Sequence, residues 1–302
     1  MRSARSGCAE MRIGVLLAAA SLYAAPAAAQ EVLPYPAVPE ADDGGGMEPQ
    51  VRPMPETLRP AAGTEITLGA ATWDGRFGGT TGNTISAVLL NVRQRLGPLR
   101  IDATLPWMRI RSQSTIFTGI NGTPLVVGPS IPMTRPRRQG LGDLTLGASW
   151  LAAAQDAAGL DIDLSARVKL PTAADSTQLS TGKTDYAFGV EVARTMGAVT
   201  PVARINYRVF GDPTGWTIRD GIATSVGASV ALPGQGIFLL SYDYAERTSR
   251  FIRPAHEIVG GASAPIGNRF RLTAYASGGL SSGAAAFSTG VSLTLALSNA
   301  RR

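Results

Sequence analysis

Acid–base or nucleophilic chemistry needs a titratable side chain held beside a reactive one, and this 302-residue chain has one histidine, His256, and one cysteine, Cys8. Zinc sites of the Cys/His kind are excluded, as is any Ser-His or Cys-His pair that does not use His256. His256 sits in Ala255-His-Glu-Ile-Val-Gly-Gly-Ala-Ser263, where no nucleophile stands in an activated setting. It reads as a side chain near a strand end. Gly182-Lys183-Thr184 has the ending of a phosphate loop, but that motif needs a glycine five residues earlier, and position 177 is Thr. Asp161 and Asp163 share a face with Arg167 and Lys169, which makes a wall of mixed sign rather than a metal site or a carboxylate pair. No catalytic, cofactor-binding or metal-binding set emerges, and the expectation is a protein that is not an enzyme.

The polar residues that remain have a different use. Arg100, Asp102, Asp161, Asp163, Arg167, Lys169, Glu191, Arg204, Arg208 and Asp243 all fall opposite apolar residues in segments that alternate with period two. From Leu160 to Leu170 every even position is apolar and every odd position is polar or charged. Twelve such segments are predicted, at about 64–73, 84–94, 98–110, 141–152, 160–170, 185–195, 200–210, 221–232, 237–247, 254–264, 269–278 and 285–298, with ends uncertain by about two to four residues. They run about twice as long as strands in water-soluble proteins. Short connections such as Leu96-Gly97 and Pro233-Gly234-Gln235-Gly236 alternate with longer ones, the longest being 111–140 with the basic run Arg135-Pro136-Arg137-Arg138.

An even number of long alternating strands, tight at one end and looped at the other, predicts an all-β fold: a closed antiparallel transmembrane β-barrel of the Gram-negative outer membrane. Lipid offers no partner to an unpaired edge, so the wall must close. The charged residues above would line the lumen. Trp73, Trp107, Trp150, Tyr186, Tyr207, Phe210, Tyr244 and Phe270, near strand ends, would form the interfacial girdles. A soluble sandwich also alternates. The strand length and the rhythm of the connections favour the membrane barrel.

The N-terminus supplies the address. Arg2, Arg5 and Arg12 precede the run Ile13–Ala20, and Ala27-Ala28-Ala29 is a small-residue cleavage site, so residues 1–29 are predicted to be a signal peptide, with Met1 and Met11 both usable as starts. Cleavage removes Cys8, three Arg and one Glu, leaving 25 basic and 21 acidic side chains, too mild an excess for nucleic acid. Residues 30–62, with seven prolines and Gly44-Gly45-Gly46, are predicted to be a disordered arm, and 63–302 the barrel. Expected partners are outer-membrane lipid, a small-molecule solute and the barrel assembly machinery.

Gly140-Leu-Gly-Asp-Leu-Thr-Leu-Gly-Ala-Ser-Trp150, then Val168-Lys-Leu-Pro-Thr-Ala-Ala-Asp175 and Leu179-Ser-Thr-Gly-Lys-Thr-Asp-Tyr-Ala-Phe-Gly189, resemble the outer-membrane proteins of the phenol-degradation meta-pathway family. Pro171-Thr172-Ala173 departs from that family's Pro-Thr-Gly, and Ser298-Asn299-Ala300-Arg301-Arg302 lacks the terminal aromatic common in barrels. The resemblance implies a barrel in the cell outer membrane that passes small, often aromatic, compounds. The lumen charges add anions as candidate solutes. A surface-binding barrel with a closed lumen is the alternative, and a barrel lipase using His256 a more distant one.

Overall fold

The computed structural model describes residues 62–77, 82–112, 116–120, 124–126, 137–249 and 252–297. The signal peptide and all but the last residue of the arm expected from the sequence lie outside them. Fifteen strands follow in chain order: β1 (Ala62–Gly75), β2 (Asn83–Leu96), β3 (Leu99–Arg111), β4 (Ile116–Thr118), β5 (Pro124–Val126), β6 (Arg137–Leu141), β7 (Leu144–Ala153), β8 (Asp161–Leu170), β9 (Asp185–Ala193), β10 (Val199–Val209), β11 (Gly221–Leu232), β12 (Gly236–Ala245), β13 (Ala255–Ile266), β14 (Phe270–Gly279) and β15 (Phe287–Leu297). The only α-helix among the described residues is one turn, Gln155–Ala158.

Thirteen of these strands form one antiparallel sheet in which β1 pairs with both β2 and β15, closing the wall. Because β6 and β7 share one stave against β3, the barrel has twelve staves. Closure leaves the wall without a free edge, which an acyl-chain solvent demands. The termini of the wall and the short turns lie at one end. There, Gly97 alone separates the strand end at Leu96 from Pro98, and its φ of 62° is a left-handed conformation that a glycine adopts without steric cost.

Alternation decides which side chains meet which surroundings. Leu164, Phe188, Val190, Ile205, Val226, Leu240, Leu272 and Leu293 point outward and are exposed, while Ser225, Ser241, Asp243, Ser277 and Ser288 on the opposite faces are buried. An apolar belt of that extent on a single chain marks contact with a membrane rather than with water. Trp107, Trp150, Tyr186, Tyr207 and Phe270 stand exposed near strand ends as expected for girdles, and Tyr244 lies outward beside His256. Trp73 and Phe210 correct the girdle list: they are buried in the barrel interior, because Trp73 falls on the inward parity of β1 and Phe210, just past the end of β10, keeps the phase of the inward Arg208.

The break in the shared stave is a β-bulge. Thr104 faces Thr145 and Trp107 faces Leu141, so the pairing advances three residues along β3 but four along its partner. Pro106 sits at the irregularity, where its carbonyl accepts the Gly142 N–H at 2.8 Å. A Cβ on Gly142 would lie 2.9 Å from the Pro106 ring, so the approach needs glycine. The extra residue lets Arg138 and Asp143, five positions apart, both point inward, which strict alternation forbids.

Candidate functional site

The barrel encloses a cavity of about 950 Å³, reached from the short-turn end, where Gln235, Gly267, Asn268 and Arg269 form its rim. Its lining mixes apolar surface with charge: seven Arg and seven Asp or Glu among the described residues, with no lysine. The two signs therefore balance. Several are locked in cross-strand pairs. Arg100 bridges to Asp163 and donates from Nε to Ser149 Oγ at 2.9 Å, Arg204 bridges to Glu191, and Arg93 lies 3.7 Å from Glu65. Asn91 Nδ2 donates to Thr104 Oγ1 at 2.8 Å. Asp243 and Glu257 face each other across β12 and β13 in a pocket of serine hydroxyls, with Ser277 Oγ donating to Glu257 at 3.1 Å.

At the long-loop end the interior changes character. The β4–β5 hairpin folds inward, and Ile116, Ile120 and Leu125 are fully buried. Ile116 packs with Trp73, Phe77, Ile85, Met108, Ile110, Leu179 and Ile252; Ile120 and Leu125 pack with Ala187, Phe210 and Ile218. Leu89 and Tyr275 touch this apolar plug from below while also lining the cavity, so they form its roof. Tyr275 finds room because Gly290 has no side chain: a Cβ there would lie 2.3 Å from the ring.

Buried polar groups tie the β4–β5 hairpin, the loop after β8 and the wall together. Arg138 donates from Nη2 to the Ile116 carbonyl at 2.8 Å and from Nη1 to that of Gln178 at 2.5 Å. Thr118 N–H donates to Leu179 O at 2.9 Å. Lys169 Nζ stands 2.8 Å from Asp143 and 3.1 Å from Asp185, with all three residues nearly inaccessible. Around that triad, Ser180 Oγ donates to Asp143, Ala173 N–H donates to Asp143 Oδ1 at 3.0 Å, and Gly211 N–H donates to Asp185 Oδ1 at 3.0 Å. The Lys169 ammonium thus joins β8, β9, the bulge and the loop after β8.

Of the ten lumen positions expected from the sequence, Arg100, Asp102, Asp161, Asp163, Arg167, Glu191, Arg204 and Asp243 lie on the cavity wall. Lys169 and Arg208 also face inward but sit in the plug layer; Arg208 donates to the Glu246 carbonyl at 3.2 Å and covers the Phe210 ring. Periodicity reports the side of the wall, not the height along it. Sequence reasoning missed Glu65, Arg93, Arg95, Glu257, Arg269 and Arg271. Arg271 had a usable signal, since it alternates with Thr273 and Tyr275 against Leu272 and Ala274. His256 lies on the outer surface, its Nδ1 2.5 Å from Tyr242 Oη and its ring 5.1 Å from that of Tyr244. Asp161 Oδ1 accepts the Gln155 N–H at 2.8 Å, a structural role at the helical turn.

No family model and no curated protein sequence matches this chain. Among solved structures, the COG4313 outer membrane channel from Pseudomonas putida F1 superposes with a TM-score of 0.60 at 13% identity, over 82% of this chain and 100% of that one. A KdgM porin gives 0.47 at 8% identity over 78% and 99%, and the P. putida toluene transporter TodX 0.43 at 10% over 80% and 91%. At these identities the first likeness is one of fold: this chain is built as a closed barrel of the outer-membrane kind.

Proposed function

We propose that the protein is an outer-membrane channel through which small solutes diffuse passively, with a charge-balanced vestibule on the periplasmic side and an apolar plug on the outer side. The observation that carries it is the open 950 Å³ cavity directly beneath a plug made by an inward-folded hairpin. In this reading the path runs past Tyr275 and Ile116, where the cavity roof meets the plug. Equal numbers of cationic and anionic groups give no support to anions as the solute class, whereas the apolar roof suits small aromatic or otherwise weakly polar molecules. The resemblance of residues 140–189 to the phenol-degradation meta-pathway family agrees with that choice. The same plug favours a second reading, a closed barrel with a surface-binding role.

Planar-bilayer recording of the refolded full chain tests both. Wild type is expected to pass a small current and the Ile116→Ser/Leu125→Ser double variant a larger one, because an apolar constriction excludes water until it is made polar. Silence in both, with no solute flux into liposomes, would leave the closed barrel. Selectivity gives an independent check. Glu65 and Arg93 form a loose, partly exposed pair, which contributes about 0–1 kcal/mol, so either can be neutralised with little effect on folding. Glu65→Gln is expected to shift the reversal potential toward anions and Arg93→Gln toward cations. Shifts of the same sign would mean that ions bypass this cavity.

A further inference from the structure

On the outer surface of the long-loop end, β3 and β6 present a ladder of three outward rungs. Trp107 faces Leu141, Arg109 faces Gln139, and Arg111 faces Arg137. The first rung is apolar and exposed, at the edge of the lipid-facing belt. The second is polar and held in place: Arg109 Nε donates to Gln139 Oε1 at 3.1 Å, and its guanidinium lies 5.5 Å from the centre of the Trp107 ring. The third sets two exposed guanidiniums directly opposite one another, an arrangement that is destabilising between bare like charges. Two and four residues at about 3.3 Å each place these cations roughly 7 and 13 Å beyond the tryptophan along the strand.

The stretch of sequence that carries the ladder has no acidic residues. Between Asp102 and Asp143 the sequence has five arginines and not one Asp or Glu, and Asp143 is buried in the interior. Among the described residues no carboxylate makes an ion pair with Arg109, Arg111 or Arg137. The exposed carboxylate of Asp74, two staves away, accepts the Thr84 hydroxyl.

We propose that this ladder binds the phosphate groups of a phosphorylated glycolipid of the outer leaflet, of the lipid A type. The inference rests on the outer-membrane placement above. Acyl chains lie against Trp107 and Leu141, and the headgroup phosphate sits between Arg111 and Arg137, where bidentate guanidinium–phosphate hydrogen bonds convert a repulsive rung into an attractive one. Arg109, steered by Trp107 and Gln139, reaches the same headgroup from below. The patch concerns how the barrel is seated in its membrane and leaves the permeation path alone.

Native mass spectrometry of the refolded full chain in detergent tests this without any current being measured, so its outcome is separate from that of the conductance experiment. Wild type is expected to retain bisphosphorylated lipid A more strongly than the monophosphorylated form, and that more strongly than phosphatidylcholine. Arg111→Gln/Arg137→Gln, checked for folding by heat-modifiable gel mobility, should weaken lipid A retention by about tenfold or more, since both charge-assisted contacts to phosphate are lost. If the double variant does not fold, the order of the three lipids on wild type decides. Equal retention of all three lipids, or undiminished retention by a folded double variant, overturns the proposal. Displacement by inorganic phosphate at equimolar concentration also overturns it, in favour of a site for free anions.

Discussion

Replacing Lys169 with methionine is expected to destabilise the barrel by about 3–5 kcal/mol, the cost of stranding a buried charge once its partner is removed. Among the described residues the ammonium is the one cation paired with the Asp143 and Asp185 carboxylates, and both are cut off from water. Methionine matches its length and apolar stem, so packing is largely kept and the loss is electrostatic. Urea unfolding of the refolded protein measures it. The triple variant Lys169→Met/Asp143→Asn/Asp185→Asn should recover a large part of the loss, since it removes the two stranded charges as well. A loss below about 1 kcal/mol in the single variant would show that hydroxyls and backbone N–H groups alone hold the carboxylates. In bilayers the single variant should also flicker more, because Ser180 and Thr181 in the loop after β8 lose their contacts with the ammonium.

The second large effect concerns the other side of the wall. Val190 lies near the middle of β9, flanked across the ladder by Leu164 and Ile205, and all three are exposed on the outer face. Val190→Arg is expected to cost about 2–4 kcal/mol, as a charge does near the bilayer midplane. Ser229→Arg on β11 adds the same side chain to the cavity wall, where water is available, and should cost far less. The pair is compared by unfolding in the same lipid. Equal penalties would mean that the assumed orientation of the wall is wrong. Glu191 is a poor interior control for Val190, because it is paired with Arg204 and a cation there would face another.

Most of the wall could be read from side-chain alternation alone. The stretch from Leu160 to Leu170 places its odd residues inward and its even ones outward, and the structure has the same parity through β8. The predicted strand ends at 221–232 match β11. Three things could not be read that way. Height was one: Lys169 and Arg208 obey the inward parity yet sit above the cavity, because a repeat of two residues carries no information on depth. The bulge was another: a single extra residue at Gly142 reverses the parity of everything before it, so β6 read as loop. The plug was the third. Ile116-Phe117-Thr118 is too short to register as a strand, and its burial depends on meeting Leu179 and Met108, which are distant in sequence.

The seam between β1 and β15 carries a consequence for assembly. Thr64 faces Leu297 and Asp74 faces Phe287, and the Thr67 and Thr294 hydroxyls touch at 2.8 Å, so the first stave made is completed only by the last. Without β15 the remaining eleven staves would be a curved ribbon with two raw rims of N–H and C=O groups, a shape that oil rejects. A wall that acyl chains can surround therefore exists only once the 11 residues of β15 are in place.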